Sequence, residues 1–387
     1  MHPEMEQLRC VIMRGGTSKG VYILKNQLPA DPAKRDAVIR AIYGSPDVRQ
    51  IDGLGGADPL TSKLAIISPS SREDADVDYT FAQVSIDTAL VDYKGNCGNI
   101  SAGVGPFAID EGLVEAVEPV TTVRIHQTNT GKILVAEVPV KDGRAAVEGD
   151  LHIDGVPGTG AKITLDFSDT QGAVTGKLLP TGNPKDIMEL GRQKYEVSIV
   201  DAGNPVVFIR AKDLGMKGTE TPAEIENNRQ LMKIIEHIRG LAAEKVGMVE
   251  SWELAASKSP YVPFFAIVSP PQEYVCYNGL QVKAGEIDIV SRLLFMLRVH
   301  KTYPATGTIC TGAAARIPGS IVWEVLREEA RSRISINIGH PAGIIPVESV
   351  AIVENGEIRL KKAAIYRTAR RIMEGYVFVR KSVFEEA

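Results

Sequence analysis

Cysteine is scarce in this 387-residue sequence, and its four cysteines (Cys10, Cys97, Cys276, Cys310) are scattered with no C-x-x-C pair. That spacing argues against a disulfide scaffold and a zinc ribbon, and points to free thiols in a reducing cytoplasm. Histidine is also scarce, at six, with none in an H-E-x-x-H or similar ligand spacing, so no bound metal is expected. No dinucleotide fingerprint or ligand cluster is present, and neither nicotinamide nor pyridoxal phosphate is expected. No apolar run approaches the roughly 20 residues of a membrane helix. The first residues, Met1 to Glu6, lack the basic start and apolar core of a signal peptide. Neither charge dominates: 44 Lys and Arg stand against 48 Asp and Glu, a net charge of −4 that gives no reason to invoke nucleic acid or an acidic membrane as partner. What remains is 44% hydrophobic and 24% charged, an ordinary soluble composition long enough for two domains.

The most informative stretch is Gly95-Asn96-Cys97-Gly98-Asn99, which runs into apolar residues at helical spacing as far as Ile109. Asn99 reads as the N-cap. Cys97 is then a thiol beside a helix N-terminus, where free N–H groups attract anions and favour a thiolate. A lone cysteine in a turn is otherwise a buried packing residue. Upstream, Leu8–Met13 and Val21–Leu24 are strand candidates joined by Arg14-Gly15-Gly16-Thr17-Ser18-Lys19-Gly20. That loop lacks the order and following helix of a Walker A motif. It reads either as a plain hairpin turn or as a carboxylate cradle of backbone N–H groups, Ser18 and Arg14. A second glycine-rich loop, Ile51 to Ser62, ends on Lys63, with a strand expected at Leu64–Ile67. A lysine there is either solvated or partly buried with its pKa depressed.

The rest of the chain repeats this layout without an evident sequence repeat. Leu178 to Pro184 reads as an interdomain linker, giving domains 1–184 and 185–387. The last strand, Tyr376–Arg380, is a candidate to return to the first domain. Pro222 to Lys245 reads as one amphipathic helix. Tyr303 to Thr308 is again a turn opening a small-residue helix, and Gly339-His340-Pro341 lies between strands. His340 is either a carboxylate donor or a satisfied loop histidine.

The paired turn-plus-helix layout resembles the diaminopimelate epimerase fold. The resemblance implies two pseudo-symmetric α/β (α+β) domains, each a barrel-like, mostly antiparallel sheet around a central helix, with both helix N-termini facing one substrate. In those epimerases each turn supplies a cysteine. Here the first is Cys97, whereas the partner position in Ala305-Thr306-Gly307-Thr308 is Thr306. Seven stretches resemble the PrpF-type isomerases. They are Met13–Gly20, Gly56–Lys63, the Cys97 segment, Asn129-Thr130-Gly131, Asp154–Gly158, Gly339–Pro341 and Arg367-Thr368-Ala369-Arg370. Asp92–Ser101 and Gln127–Thr130 look most like the methylitaconate Δ-isomerase branch. The resemblance implies a cofactor-independent, cytoplasmic isomerase that shifts a C=C bond in a small unsaturated di- or tricarboxylate by 1,3-proton transfer. Methylaconitate cis-trans isomerase and oxalomesaconate tautomerase are the alternatives within the family. An amino-acid racemase or epimerase, or a non-catalytic carboxylate-binding protein, are the alternatives outside it. The resemblance assigns proton transfer to Lys63 and Cys97. Substrate contacts are then expected from Arg14, Thr17, Ser18, Gly98, Asn99, Asn129, Thr306, Gly307, Thr308 and His340. Oligomeric state stays open, a homo-oligomer included.

Overall fold

A computed structural model describes residues 2–354 and 357–385. By contact the chain divides into two units. The first holds Met1–His152, Gly158–Thr164 and Arg367–Ala387, and the second Ile153–Pro157 and Leu165–Tyr366. The division thus falls earlier than the Leu178–Pro184 stretch, which lies inside the second unit.

In the first unit, β1 (Met5–Gly15), β2 (Ser18–Leu24), β3 (Lys63–Pro69), β4 (Val77–Val84), β5 (Val120–Gln127) and β6 (Lys132–Lys141) form one sheet. Their successive pairings run antiparallel, parallel, antiparallel, parallel, antiparallel. The final strand, Ala369–Arg380, pairs antiparallel with β1. The parallel pairs are bridged by helices, as such crossovers require. Helix α1 (Pro32–Tyr43) lies between β2 and β3, and α2 (Gly98–Asp110) between β4 and β5.

The second unit has the same plan. Strands β7 (Gln193–Ala202), β8 (Asn204–Arg210), β9 (Phe264–Ser269), β10 (Ile289–Phe295), β11 (Ser335–His340) and β12 (Gly343–Glu354) repeat the same five pairings. Here α3 (Arg229–Lys245) and α4 (Ala305–Ala314) occupy the crossovers. The amphipathic run expected from Pro222 to Lys245 is two helices. It breaks at Asn228, whose side chain leaves the helical path to cap the Leu231 N–H at 3.0 Å.

The central strands of each sheet are buried on both faces, while the outer ones alternate buried and exposed residues. In the first unit, Val21, Ile23, Leu64, Ile66, Ala82 and Val84 pack against α1. The alternate residues of those strands point the other way, toward α2. Helix α2 is buried along its length from Gly98 to Ile109, and α4 is buried from Ala305 to Ala314. A helix buried all round has no polar face, and its small residues let the sheet approach closely. At Gly103 the approach is tightest. Tyr22 donates its hydroxyl to the Ile100 carbonyl at 2.5 Å, and a Cβ on Gly103 would collide with that hydroxyl. Gly→Ala inside a helix normally gains about 1 kcal/mol. Gly103→Ala should instead destabilise the protein by about 1–3 kcal/mol, the usual cost of overpacking. Urea denaturation checks the sign, and an increase in stability would contradict this packing.

Candidate active site

The face of the sheet turned to α2 carries the candidate residues Lys63 and Ser18. Lys63 opens β3 and lies opposite Gly20 on one side and Gln83 on the other. Its side chain is 2% exposed, so the open alternative, a solvated surface lysine, does not hold. The glycine at position 20 is required by this closeness, because a Cβ there would strike the Lys63 carbonyl. The Lys63 amine donates to Gln83 Oε1 at 2.6 Å and lies 5.4 Å from the centre of the Phe81 ring. Burial lowers the pKa of Lys63, while the hydrogen-bonding Cys97 thiol and the Asp58 carboxylate partly oppose that shift.

Cys97, not Asn99, is the N-cap of α2. It has extended backbone angles, and its carbonyl accepts from the Ser101 N–H at 2.8 Å and the Ser101 hydroxyl at 3.0 Å. Asn99 cannot cap because its amide is committed elsewhere. Nδ2 donates to Thr17 Oγ1 at 3.1 Å, and Oδ1 accepts from Arg367 Nε at 3.2 Å. The Gly15-Gly16 pair makes this possible, since a Cβ on either would run into Asn99, and Gly16 has φ +50°. The hairpin turn is thus folded onto the first turn of α2.

Ser18 lies directly across from Gly15 and on the same face as Gly20. Its hydroxyl is buried and has no hydrogen-bond partner among the described residues. Native proteins seldom leave such a group unpaired, so an acceptor or donor from a bound molecule is the natural occupant. Arg14 is placed differently. It pairs with Lys19 on the opposite face of the hairpin, and its Nη1 donates to the carbonyls of Gly16 at 3.0 Å and Thr368 at 2.8 Å. It pins the turn to the returning strand. Asn129 is likewise a clamp. Its amide binds the Phe81 N–H and carbonyl at 2.8 Å each and the Tyr93 carbonyl at 2.7 Å, tying β4 to the segment that leads into Cys97.

In the second unit, Thr306, Gly307 and Thr308 lie in the first turn of α4, whose cap is Pro304. The Asn204 side chain donates to Thr306 Oγ1 at 2.9 Å. The first unit pairs the same residue types with the order exchanged, Asn99 on the helix and Thr17 on the hairpin. Counted from the helix start, Pro304 stands where Cys97 stands in α2. Counted by the sequence pattern, Thr306 does. Neither supplies a second thiol. Cys310 is a core residue, with its thiol 3.1 Å from the Val200 carbonyl and its pKa raised far by burial. Thr308 caps its own turn by donating to the Pro304 carbonyl at 2.9 Å, and buried His340 accepts at Nδ1 from the Ala342 N–H at 3.2 Å.

Two residues of the first unit escaped the sequence reading. Gln83 carried no signal, because a glutamine in an apolar strand reads as an edge residue until its register with Lys63 is known. Arg367 is buried at the Asn99 side chain, and desolvation brings its pKa down to about 10, so it stays cationic at neutral pH. The Arg367-Thr368-Ala369-Arg370 stretch was its only signal.

A buried amine, a thiol, an unpartnered hydroxyl and a guanidinium around one helix N-terminus suit an anionic substrate and a proton transfer. The fold is the diaminopimelate epimerase-like one. It is shared with a hydroxyproline epimerase from Agrobacterium vitis at 13% identity and a TM-score of 0.57, covering 97% of this chain and 93% of that one. Within that fold the chain belongs to the PrpF protein family, which it matches over residues 5–380. It is 59% identical over 380 residues to the 3-methylitaconate isomerase of Eubacterium barkeri, covering 97% of this chain and 99% of the relative. The crystal structure of a methylitaconate Δ-isomerase matches with a TM-score of 0.80 and 58% identity, over 98% of this chain and 97% of that one.

The burial of Lys63 also predicts a stability effect. A lysine whose folded pKa lies below its ordinary 10.5 leaves the folded state short of protons relative to the unfolded chain. Its penalty is fully present below the folded pKa. It fades as pH rises toward 10.5. Lys63→Met should therefore be more stable than the wild type at neutral pH, with the difference shrinking as pH rises toward 10. Urea titrations at a series of pH values check this, and a pH-independent difference would contradict it.

Proposed function

We propose that this protein is a cofactor-independent isomerase that moves a C=C bond by 1,3-proton transfer in a small unsaturated dicarboxylate, with methylitaconate as substrate. The observation that carries the reading is a buried lysine of lowered pKa within hydrogen-bonding reach of the cap thiol of a buried helix. The close similarity to a 3-methylitaconate isomerase supports the choice of acid. The four cysteines are free, which suits work in the cytoplasm.

The reaction asks for a base. An amine of ordinary pKa, about 10.4, is almost wholly protonated at neutrality, and burial raises the fraction able to accept a proton. In this reading neutral Lys63 takes the proton from the carbon that lies between a carboxylate and the double bond. The electron pair left behind forms the new C=C, and the old π pair passes to the far carbon as a dienolate. That far carbon then takes a proton from the Lys63 ammonium or from the Cys97 thiol, so no net proton is gained or lost. The donors at the start of α2, the N–H groups of Gly98 and Asn99 with the Ser18 hydroxyl, hold a carboxylate and offset the charge that develops on it. Thr17, Arg14 and Asn129 fix the hairpin and the Cys97 segment in place. Thr306, Gly307, Thr308 and His340 remain proposed carboxylate contacts of the second unit.

Lys63→Ala should abolish turnover of methylitaconate while leaving binding and folding largely intact, because it removes the base and little packing. Proton NMR in deuterated water follows both double-bond migration and deuterium incorporation. Cys97→Ser should lose about tenfold or less if the thiol only donates a hydrogen bond, and far more if it carries the second proton. Wild-type turnover by Lys63→Ala would remove this mechanism.

A further inference from the structure

We propose that Gln83 is the positioning residue of the base: it aims the Lys63 amine through an uncharged acceptor. The inference rests on the reading of Lys63 as the base. Gln83 is wholly buried and sits directly across the antiparallel β3–β4 pair from Lys63, where side chains on one face meet. Its amide can be oriented in only one way. Nε2 faces two acceptors, the Pro59 carbonyl at 3.2 Å and the Ser62 carbonyl at 3.0 Å, so it must be the nitrogen. Oε1 is then held toward Lys63 and accepts from its amine at 2.6 Å. Two donors spent on backbone thus lock one acceptor on the base.

That acceptor directs the lysine. A neutral amine has two N–H donors and one lone pair. With one N–H committed to Gln83 Oε1, the lone pair is confined to the remaining tetrahedral directions, away from β4. The partner's chemistry also matters. A carboxylate at this place would bind the ammonium as a buried ion pair and hold the base protonated. An amide accepts the same hydrogen bond without the charge. The other groups bearing on the amine are the Asp58 carboxylate, the Cys97 thiol and the face of Phe81. The Tyr43 hydroxyl is spent on the Lys63 carbonyl and that of Tyr22 on the Ile100 carbonyl. Both tyrosines are held neutral by burial. Asp58 already brings a carboxylate to bear on the amine, and Gln83 avoids placing another directly across the strand pair.

The loop that Gln83 grips is itself locked. Gln50, buried and in the left-handed region at φ 45°, donates to Ser62 Oγ at 2.8 Å and accepts from the Ala57 N–H at 2.9 Å. Ser62 Oγ in turn donates to the Val84 carbonyl at 2.9 Å. The Pro59 and Ser62 carbonyls are therefore fixed points against which the Gln83 amide is set.

The test is the pH–rate profile of methylitaconate isomerisation in Q83E and Q83N beside wild type and Lys63→Ala, with circular dichroism to verify folding. Q83E should move the ascending limb of kcat alkaline by about one pH unit or more, a loss of about tenfold at neutral pH that is recovered at high pH. Q83N, whose amide is one methylene short of the amine, should lower kcat about tenfold or more with KM changed less. A Q83E limb superimposable on the wild type overturns the role of Gln83 while an inactive Lys63→Ala upholds the lysine. An active Lys63→Ala overturns the lysine itself. Should Q83E not fold, Q83N decides, and a kcat within twofold of wild type overturns the proposal.

Discussion

The structure of the first unit turns on one constraint, an amine taken out of water. Burying a lysine costs free energy unless its polar end finds partners, and here those partners are an amide, a thiol and an aromatic face. Each partner needs support of its own. Gln83 depends on the loop that ends at Ser62, Cys97 depends on the start of α2, and α2 depends on the glycine hairpin folded over Asn99. The glycines at 15, 16, 20 and 103 are consequences of that arrangement, because each lies where a side chain would collide with the helix or with a residue holding it.

The two units use one plan for different ends. Both place a buried small-residue helix after the fourth strand of the same pairing series. Both tie its first turn to a hairpin through an Asn–Thr hydrogen bond. Only the first unit combines that helix start with a lysine and a thiol. In the second, the cap is proline, the cysteine on the helix, Cys310, is a core residue, and the Thr308 hydroxyl donates to the Pro304 carbonyl. A fold suited to two thiols therefore carries one, which fits a lysine-led proton shift better than a two-thiol racemisation.

Much of this was legible in the sequence. The glycine-rich turns, the helix after Cys97 and the strand after Lys63 follow from local chemistry, and the seven stretches spread along the chain pointed to the family. What was not legible depends on register and on faces. Arg14 looked like a carboxylate ligand, but period-two alternation puts it on the face of the hairpin away from Ser18, where it clamps the turn. Asn99 looked like a cap because cap residues are recognised by type, whereas its amide was needed by Thr17 and Arg367. Asn129 showed its importance without showing that its amide serves the backbone of Phe81 and Tyr93. Gln83 was invisible, since its meaning lies wholly in the residue paired across from it. The division between the units was misplaced at Leu178–Pro184 because a Gly/Pro stretch marks a turn without marking a boundary.

The central claim is that Lys63 is a buried amine whose pKa lies below that of a solvated lysine. NMR titration of the side-chain nitrogen in protein labelled with ¹⁵N-lysine measures it directly, with the Lys63 signal assigned by its loss in Lys63→Arg. The account predicts one lysine that titrates distinctly below 10.5, the ordinary value. A Lys63 signal that titrates at or above that value, together with the solvent-exposed lysines, would contradict it.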